Sequence, residues 1–174
     1  SELIETNHGS AAGMAMKLAD LYREILENSK RSLATLKSEV GIIEKYLELE
    51  QIRFGSRLRF EIDVPENSEN IFLPSLVLQT LVENAVKHGV APSVEGGHVR
   101  VSVKPAAVRP EETGYDLCVG NSRGRSSVAG TRTGLENTKA RLDLLYGSRH
   151  GFTLRDYGPG VEARFWFSGE SHGA

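Results

Sequence analysis

At Gly55 the hydrophobic period of this 174-residue chain changes, and that change restricts the fold more than any other feature. Before it, Leu18, Leu21, Tyr22 and Ile25, and then Leu36, Val40, Ile43 and Leu47, recur at three- and four-residue spacing, the pattern of two helices each burying one face. After it, Leu58, Phe60, Ile62 and Val64 alternate with Arg57, Arg59, Glu61 and Asp63, which makes a strand with one wet face. A Ser/Lys/Arg break over residues 28–32 turns the two helices into a hairpin, and Gly55 is a C-cap for the second. Residues 1–13 are small and polar and are expected to fray. Pro65 ends the strand, and Pro74 is expected to open the next helix, which carries Asn84 and runs to Gly89.

Past the Gly96-Gly97 turn the alternation returns in Val99, Val101 and Val103, again over Tyr115 to Val119, and last in Val161, Ala163, Phe165 and Phe167. Between these lie a Gly-rich segment, a helix over Leu135 to Tyr146 and a short strand around Phe152 to Leu154. The fold class this predicts is α+β: a sandwich of a mixed, mostly antiparallel sheet with helices on one face, preceded by a helical hairpin. The expected division is a helical region over 1–55 and a second domain over 56–174.

A charged fraction of 25% and a net charge of −2 give an ordinary surface with no basic nucleic-acid footprint. No apolar run approaches the roughly 20 residues of a membrane span, so any membrane attachment is expected in segments outside this sequence. Ser1 in place of Met is what a cut or processed chain would show. The one cysteine, Cys118, has no internal disulfide partner, and its place in a strand predicts a small buried hydrophobe, in keeping with a reducing, cytoplasmic setting.

Three stretches carry chemistry. In Leu81-Val-Glu-Asn-Ala-Val-Lys-His-Gly89, Leu78, Leu81, Val82 and Ala85 face a core while Asn84, Lys87 and His88 share a neighbouring face. An Asn carbonyl oxygen suits a hard cation such as Mg2+, and a Lys one turn on can meet a phosphate; the plain alternative is a core helix with solvated polar residues. The second stretch is the strand end Leu117-Cys-Val-Gly-Asn-Ser-Arg-Gly124, which by itself also reads as a turn after a strand. The third is Gly130-Thr-Arg-Thr-Gly-Leu-Glu-Asn137, a Gly-rich run into a helix N-terminus, where free N–H groups and the helix dipole favour phosphate. Walker-type and His-Glu-x-x-His motifs are absent, and five scattered histidines do not make a zinc site; His8, His98, His150 and His172 are read as solvated or structural.

In the order and spacing of these stretches, with Gly158-Pro-Gly160 and the upstream Glu44-Lys-Tyr-Leu-Glu-Leu-Glu-Gln-Ile-Arg-Phe-Gly55, the chain resembles LytS-like sensor histidine kinases of the GHKL ATPase superfamily over about residues 18–167. The resemblance implies a Bergerat-type sandwich that binds ATP with Mg2+ and transfers the γ-phosphoryl to a histidine lying outside this sequence. It implies Asn84 as metal ligand, with Lys87, His88, Gly130, Thr131, Arg132, Gly134 and Leu135 around the phosphates and Asn121 and Ser122 at the adenine. Asn121 stands where the family box has Asp, and Arg123 and Arg132 stand where it has Gly. Hydrolytic relatives place a water-activating Glu four residues before the metal Asn; here that residue is Thr80, and Glu83 points about 100° away around the helix, so transfer is favoured over hydrolysis. The implied partners are a response regulator and a second copy joined through the N-terminal helices, the whole being the cytoplasmic part of a membrane-bound bacterial sensor. The segment from Ser122 to Thr133 is expected to be a lid ordered by nucleotide. The competing reading is a degenerate, non-catalytic GHKL domain that serves as a dimerising or docking module, motivated by the three departures.

Overall fold

In the computed structural model, residues 1, 110–111, 123–131, 158–159 and 169–174 lie outside the described residues, as do the side chains of 2–11, 108–109, 112–113 and 132–135. Two helices come first, α1 (Glu2–Ser29) and α2 (Leu36–Phe54), with the short strand β1 (Leu33–Thr35) between them. The fraying expected over residues 1–13 is not found: α1 begins at Glu2, and Ala11, Ala12 and Ala15 are strong helix formers that carry it across Gly13. Thr35 caps α2 through its hydroxyl, which accepts from Ser38 N–H at 3.1 Å, and Gly55 ends it at φ 58. The hairpin is closed by Leu21, Ile42 and Leu49, by the Lys45–Glu24 ion pair, and by Ser38 Oγ donating to Asn28 Oδ1 at 3.2 Å.

The remainder holds a five-stranded sheet in the order β2-β4-β5-β7-β6, from β2 (Leu58–Asp63), β4 (Gly97–Arg109), β5 (Glu112–Asn121), β6 (His150–Tyr157) and β7 (Gly160–Ser168). Among the described residues only the β2–β4 pair is parallel. Leu58, Val99, Val101, Val103, Leu117, Val119, Ala163, Phe165 and Phe167 point to one face, where α2, α3 (Val77–Ala85) and α4 (Arg132–Tyr146) cover them in a single core. Leu36, Ile43 and Leu47 of α2 belong to that core, so α2 packs as part of the sandwich while α1 lies against its outer side. The opposite sheet face is polar and crossed by ion pairs, Arg100–Glu61, Lys104–Asp63 and Arg164–Asp116.

Cys118 lies on that polar face, because Leu117 and Val119 take the inward positions and strand alternation turns the residue between them outward. It is half-buried beside Asp116, Glu162 and Arg164, and burial, then the hydrogen bond to Glu162, push its thiol up to about 12, so it is a protonated, unreactive group and not a core hydrophobe.

The region around Pro74 also differs from expectation. Pro74 ends a strand, β3 (Phe72–Pro74), which pairs antiparallel with β1 in a second, two-stranded sheet, and α3 starts three residues later. A proline with helix formers after it reads locally as a helix start; the pairing with β1, some forty residues back, decides otherwise.

Candidate nucleotide site

α3 enters through Leu76, whose φ of 65 is the only positive value at a non-glycine among the described residues. Its first turn is capped from another helix: the Glu39 carboxylate on α2 accepts Leu76 N–H at 2.6 Å and Leu78 N–H at 3.1 Å. Glu39 is fully buried, and burial raises its carboxyl to about 7 against the lowering effect of these N–H groups and of Arg141. Arg141 of α4 donates to Ser75 O at 2.7 Å, so the start of α3 is held from both sides. The sequence reading passed over Glu39, although an acid three residues after Leu36 and four before Ile43 occupies a core position of α2 and is a legible warning.

The far end of α3 does not stay α-helical to Gly89. Val86–Val90 form a π turn, closed by Ala91 N–H to Val86 O at 2.9 Å, which places Lys87 and His88 on a wider turn than regular spacing predicts. The half-buried Asn84 side chain and the exposed Lys87 ammonium have no hydrogen-bond or ion-pair partner among the described residues. His88 Nε2 is buried and unpaired among them as well, and burial, then the charge of Lys87, lowers its pKa, which disfavours the charged ring. Thr80 Oγ1 donates to its own helix at Leu76 O, 2.8 Å away, and exposed Glu83 accepts from Gln79 Nε2 at 2.6 Å; neither offers a base beside Asn84.

The end of β5 meets this π turn. Asn121 is 5% exposed, its Oδ1 accepts Val161 N–H at 3.1 Å and its Nδ2 makes a long contact of 3.4 Å with Ala85 O, the residue after Asn84. Tyr157 Oη holds the backbone by donating to Asn121 O at 2.9 Å. Ser122 closes the strand end, accepting His98 N–H at 2.8 Å through Oγ. Gly97 sits where these pieces crowd together: a Cβ there would stand 3.3 Å from Val90 Cγ2, 3.4 Å from Gly89 O and 3.7 Å from Ser122 Oγ. Two motifs separated by 36 residues are thereby joined.

α4 begins at Arg132, three residues before the expected Leu135, so the backbone of Arg132, Gly134 and Leu135 lies in its first turn; their side chains are outside the described residues. Gly130, Thr131, Arg123, the body of the expected lid and the Gly158-Pro159 turn lie outside the described residues too. Of the other histidines, His150 is structural, its Nδ1 paired with Gly147 O at 2.9 Å. Chemically, the described part of the site presents a neutral carbonyl oxygen at Asn84 suited to a hard cation, an ammonium at Lys87 suited to phosphate, and an amide at Asn121 whose oxygen keeps a second lone pair. No cluster of three acidic, His or Cys ligands occurs among the described residues, so a cation here would draw most of its ligands from phosphate and water.

A family profile described as histidine kinase matches residues 1–58. The sensor histidine kinase YpdA of Escherichia coli is 33% identical over 172 residues, 95% of this chain, and the sensor histidine kinase/phosphatase LytS of Staphylococcus aureus is 31% identical over 176 residues, again 95%. The chain belongs to the LytS/YpdA-like sensor histidine kinase family. It spans 30% of the length of each of these relatives. Solved structures of histidine kinases have a similar fold at low identity. The histidine kinase AdeS of Acinetobacter baumannii superposes with a TM-score of 0.59 at 15% identity, covering 98% of this chain and 86% of that one. The catalytic domain of the histidine kinase ThkA gives 0.52 at 14% identity, covering 79% of this chain and 94% of that domain. No helix among the described residues is long and apolar enough to cross a membrane.

Proposed function

We propose that this chain is the ATP-binding and phosphoryl-donating region of a two-component sensor kinase, acting on a histidine of the full-length protein for relay to a response regulator. Asn84 holds Mg2+, Lys87 and the first-turn amides of α4 hold the phosphates, and Asn121 with Ser122 reads the adenine. The observation that supports the reading is the contact of Asn121, at the buried end of β5, with Ala85, the residue after Asn84 and the one before the π turn that carries Lys87. Phosphoryl transfer asks mainly for this kind of positioning and charge neutralisation, with little covalent chemistry from the protein. When bound, Mg2+ neutralises phosphate charge; Asn84 orients it through one neutral oxygen. Thr80 turned onto its own backbone, and Glu83 onto Gln79, support transfer over hydrolysis.

The full protein is then a membrane-bound bacterial sensor with this region on the cytoplasmic side, working as a homodimer through the N-terminal helices. Calorimetry with a non-hydrolysable ATP analogue, with and without Mg2+, tests the central claim; Mg2+-dependent binding is expected, and no binding at millimolar analogue overturns it. One observation favours the degenerate module as a second reading: both polar atoms of the Asn121 amide already have partners within the chain, as in a group retained for packing. The same titration separates the two, since a docking module binds no nucleotide.

A further inference from the structure

α3 and the π turn that continues it form the arm that carries Asn84, Lys87 and His88, and no side-chain cap of its own holds its start. Leu76, at φ 65, offers α3 no side-chain cap, and a left-handed leucine persists only where its surroundings over-determine it. What fixes it is Glu39, reaching across from α2 with one oxygen on Leu76 N–H and the other on Leu78 N–H. The carboxylate is fully buried, among a core that includes Leu36 and Ile43 of its own helix and Leu78 of α3, so water cannot replace it. The charged group facing it is Arg141, on α4, whose guanidinium bonds the carbonyl of Ser75 one residue before Leu76. Glu39 thus ties α2 to the root of the arm, and Arg141 ties α4 to the same point. One residue earlier, Ser38 is bonded to Asn28 at the end of α1, so the same point joins the arm to the helical hairpin.

We propose that Glu39 is a positioning residue of the nucleotide site, fixing through the start of α3 where Asn84 and Lys87 stand. The inference rests on the reading of α3 as the metal and phosphate arm. Asn84 lies eight residues beyond Leu76, about 12 Å along a helix, so a tilt of about 10° at the root displaces it by about 2 Å. Metal ligation tolerates about 0.2 Å. Asn121, at the end of a central strand, is held chiefly by Val161 and Tyr157, and its one link to α3 is the long 3.4 Å contact of Nδ2 with Ala85 O. Disturbing Glu39 therefore separates the two halves of the site: the metal and phosphate half moves and the adenine half stays.

The test is Glu39→Gln at pH 8, where the native carboxylate is ionised; the amide keeps the volume but turns an N–H toward one of the two donors. Affinity for a non-hydrolysable ATP analogue with Mg2+ is measured by calorimetry and affinity for adenosine by ligand-observed NMR. Binding of the Mg2+ complex is expected to weaken about tenfold or more, as for other outer-shell supports of a metal, with adenosine unchanged within about twofold. Amide exchange at Leu76 and Leu78 is expected to quicken in the same variant. An unchanged affinity for the Mg2+ complex in the folded variant overturns the proposal, and so does an equal loss for both ligands, which marks a merely structural role. If Glu39→Gln does not fold, Glu39→Asp, which keeps the charge but withdraws it by one methylene, is expected to show the same split, and its absence is equally decisive. Failure of the native chain to bind either ligand would be seen before any variant is made; it removes the nucleotide-site reading itself.

Discussion

Asn84, Asn121 and Glu39 bear on the same site in physically different ways. Asn84 is half-buried and unpaired among the described residues, so Asn84→Ala removes no internal bond and is expected to change stability by less than about 1 kcal/mol. Its nucleotide affinity is expected to lose its Mg2+ dependence, which titrations with and without the cation check. Asn121→Asp restores the acid usual in the family box, yet it sets a carboxylate oxygen against Ala85 O where an amide N–H now points. In a 5% exposed site that loss is expected to destabilise by about 1–3 kcal/mol in urea unfolding at pH 8. On the proposed reading of the site, adenine recognition through this position is built around the amide. Glu39 adds a pH signature. Its carboxyl is raised from 4.5 to about 7, so the stability it contributes is fully present below 4.5 and is lost as pH rises through about 7. The native chain is expected to lose roughly 3 kcal/mol relative to Glu39→Gln across that window, with no further change above it. Parallel stability–pH curves for the two proteins would contradict it.

The helices and strands of the sandwich were legible because each buries one face and prints its period: three and four for α2 and α4, two for β2, β4, β5 and β7. The three-residue strands β1 and β3 are too short to print any period, and the π turn after α3 uses the residue types an α-helix would. Glycines show the same division between local and tertiary causes. Gly41, within α2, has nothing within 4 Å of a built Cβ, so Gly41→Ala is expected to stabilise by about 0.5–1 kcal/mol, the usual helical difference. Gly96 has φ 77, and a Cβ there would come within 2.0 Å of Arg57 O, a backbone atom with no room to yield. Gly96→Ala is expected to destabilise by more than about 2 kcal/mol and to disturb the β2–β4 pairing beside it. Thermal unfolding of the two variants gives shifts of opposite sign if this is right.

The molecule as a whole is a sandwich with a helix leaning on its side. α1 keeps Leu21 and Asn28 against α2, yet turns Met16, Leu18, Tyr22 and Leu26 outward, at 70%, 44%, 58% and 62% exposure. A stripe of that length on one helix is the kind of surface a second copy covers. Replacing Tyr22 and Leu26 together by Glu is expected to shift the chain toward monomer in light scattering while leaving the thermal transition of the sandwich in place, because neither side chain enters its core. Association unchanged by both charges would place the interface elsewhere.

From residues alone came the helical start, the switch to strands at Gly55, the sheet positions that face inward, and the order of the motifs around Asn84, Asn121 and Gly130. All of these are written locally, in periods and short spacings. The strand that claims Pro74, the partners of the Asn121 amide and the buried acid at the root of α3 were settled only on folding. Each of these three depends on a contact between residues 36 to 40 positions apart, Ala34 with Leu73, Glu39 with Leu76, Ala85 with Asn121 and Asn121 with Val161, and such pairings are selected by packing and hydrogen-bond satisfaction over the whole core, which no window of neighbouring residues encodes.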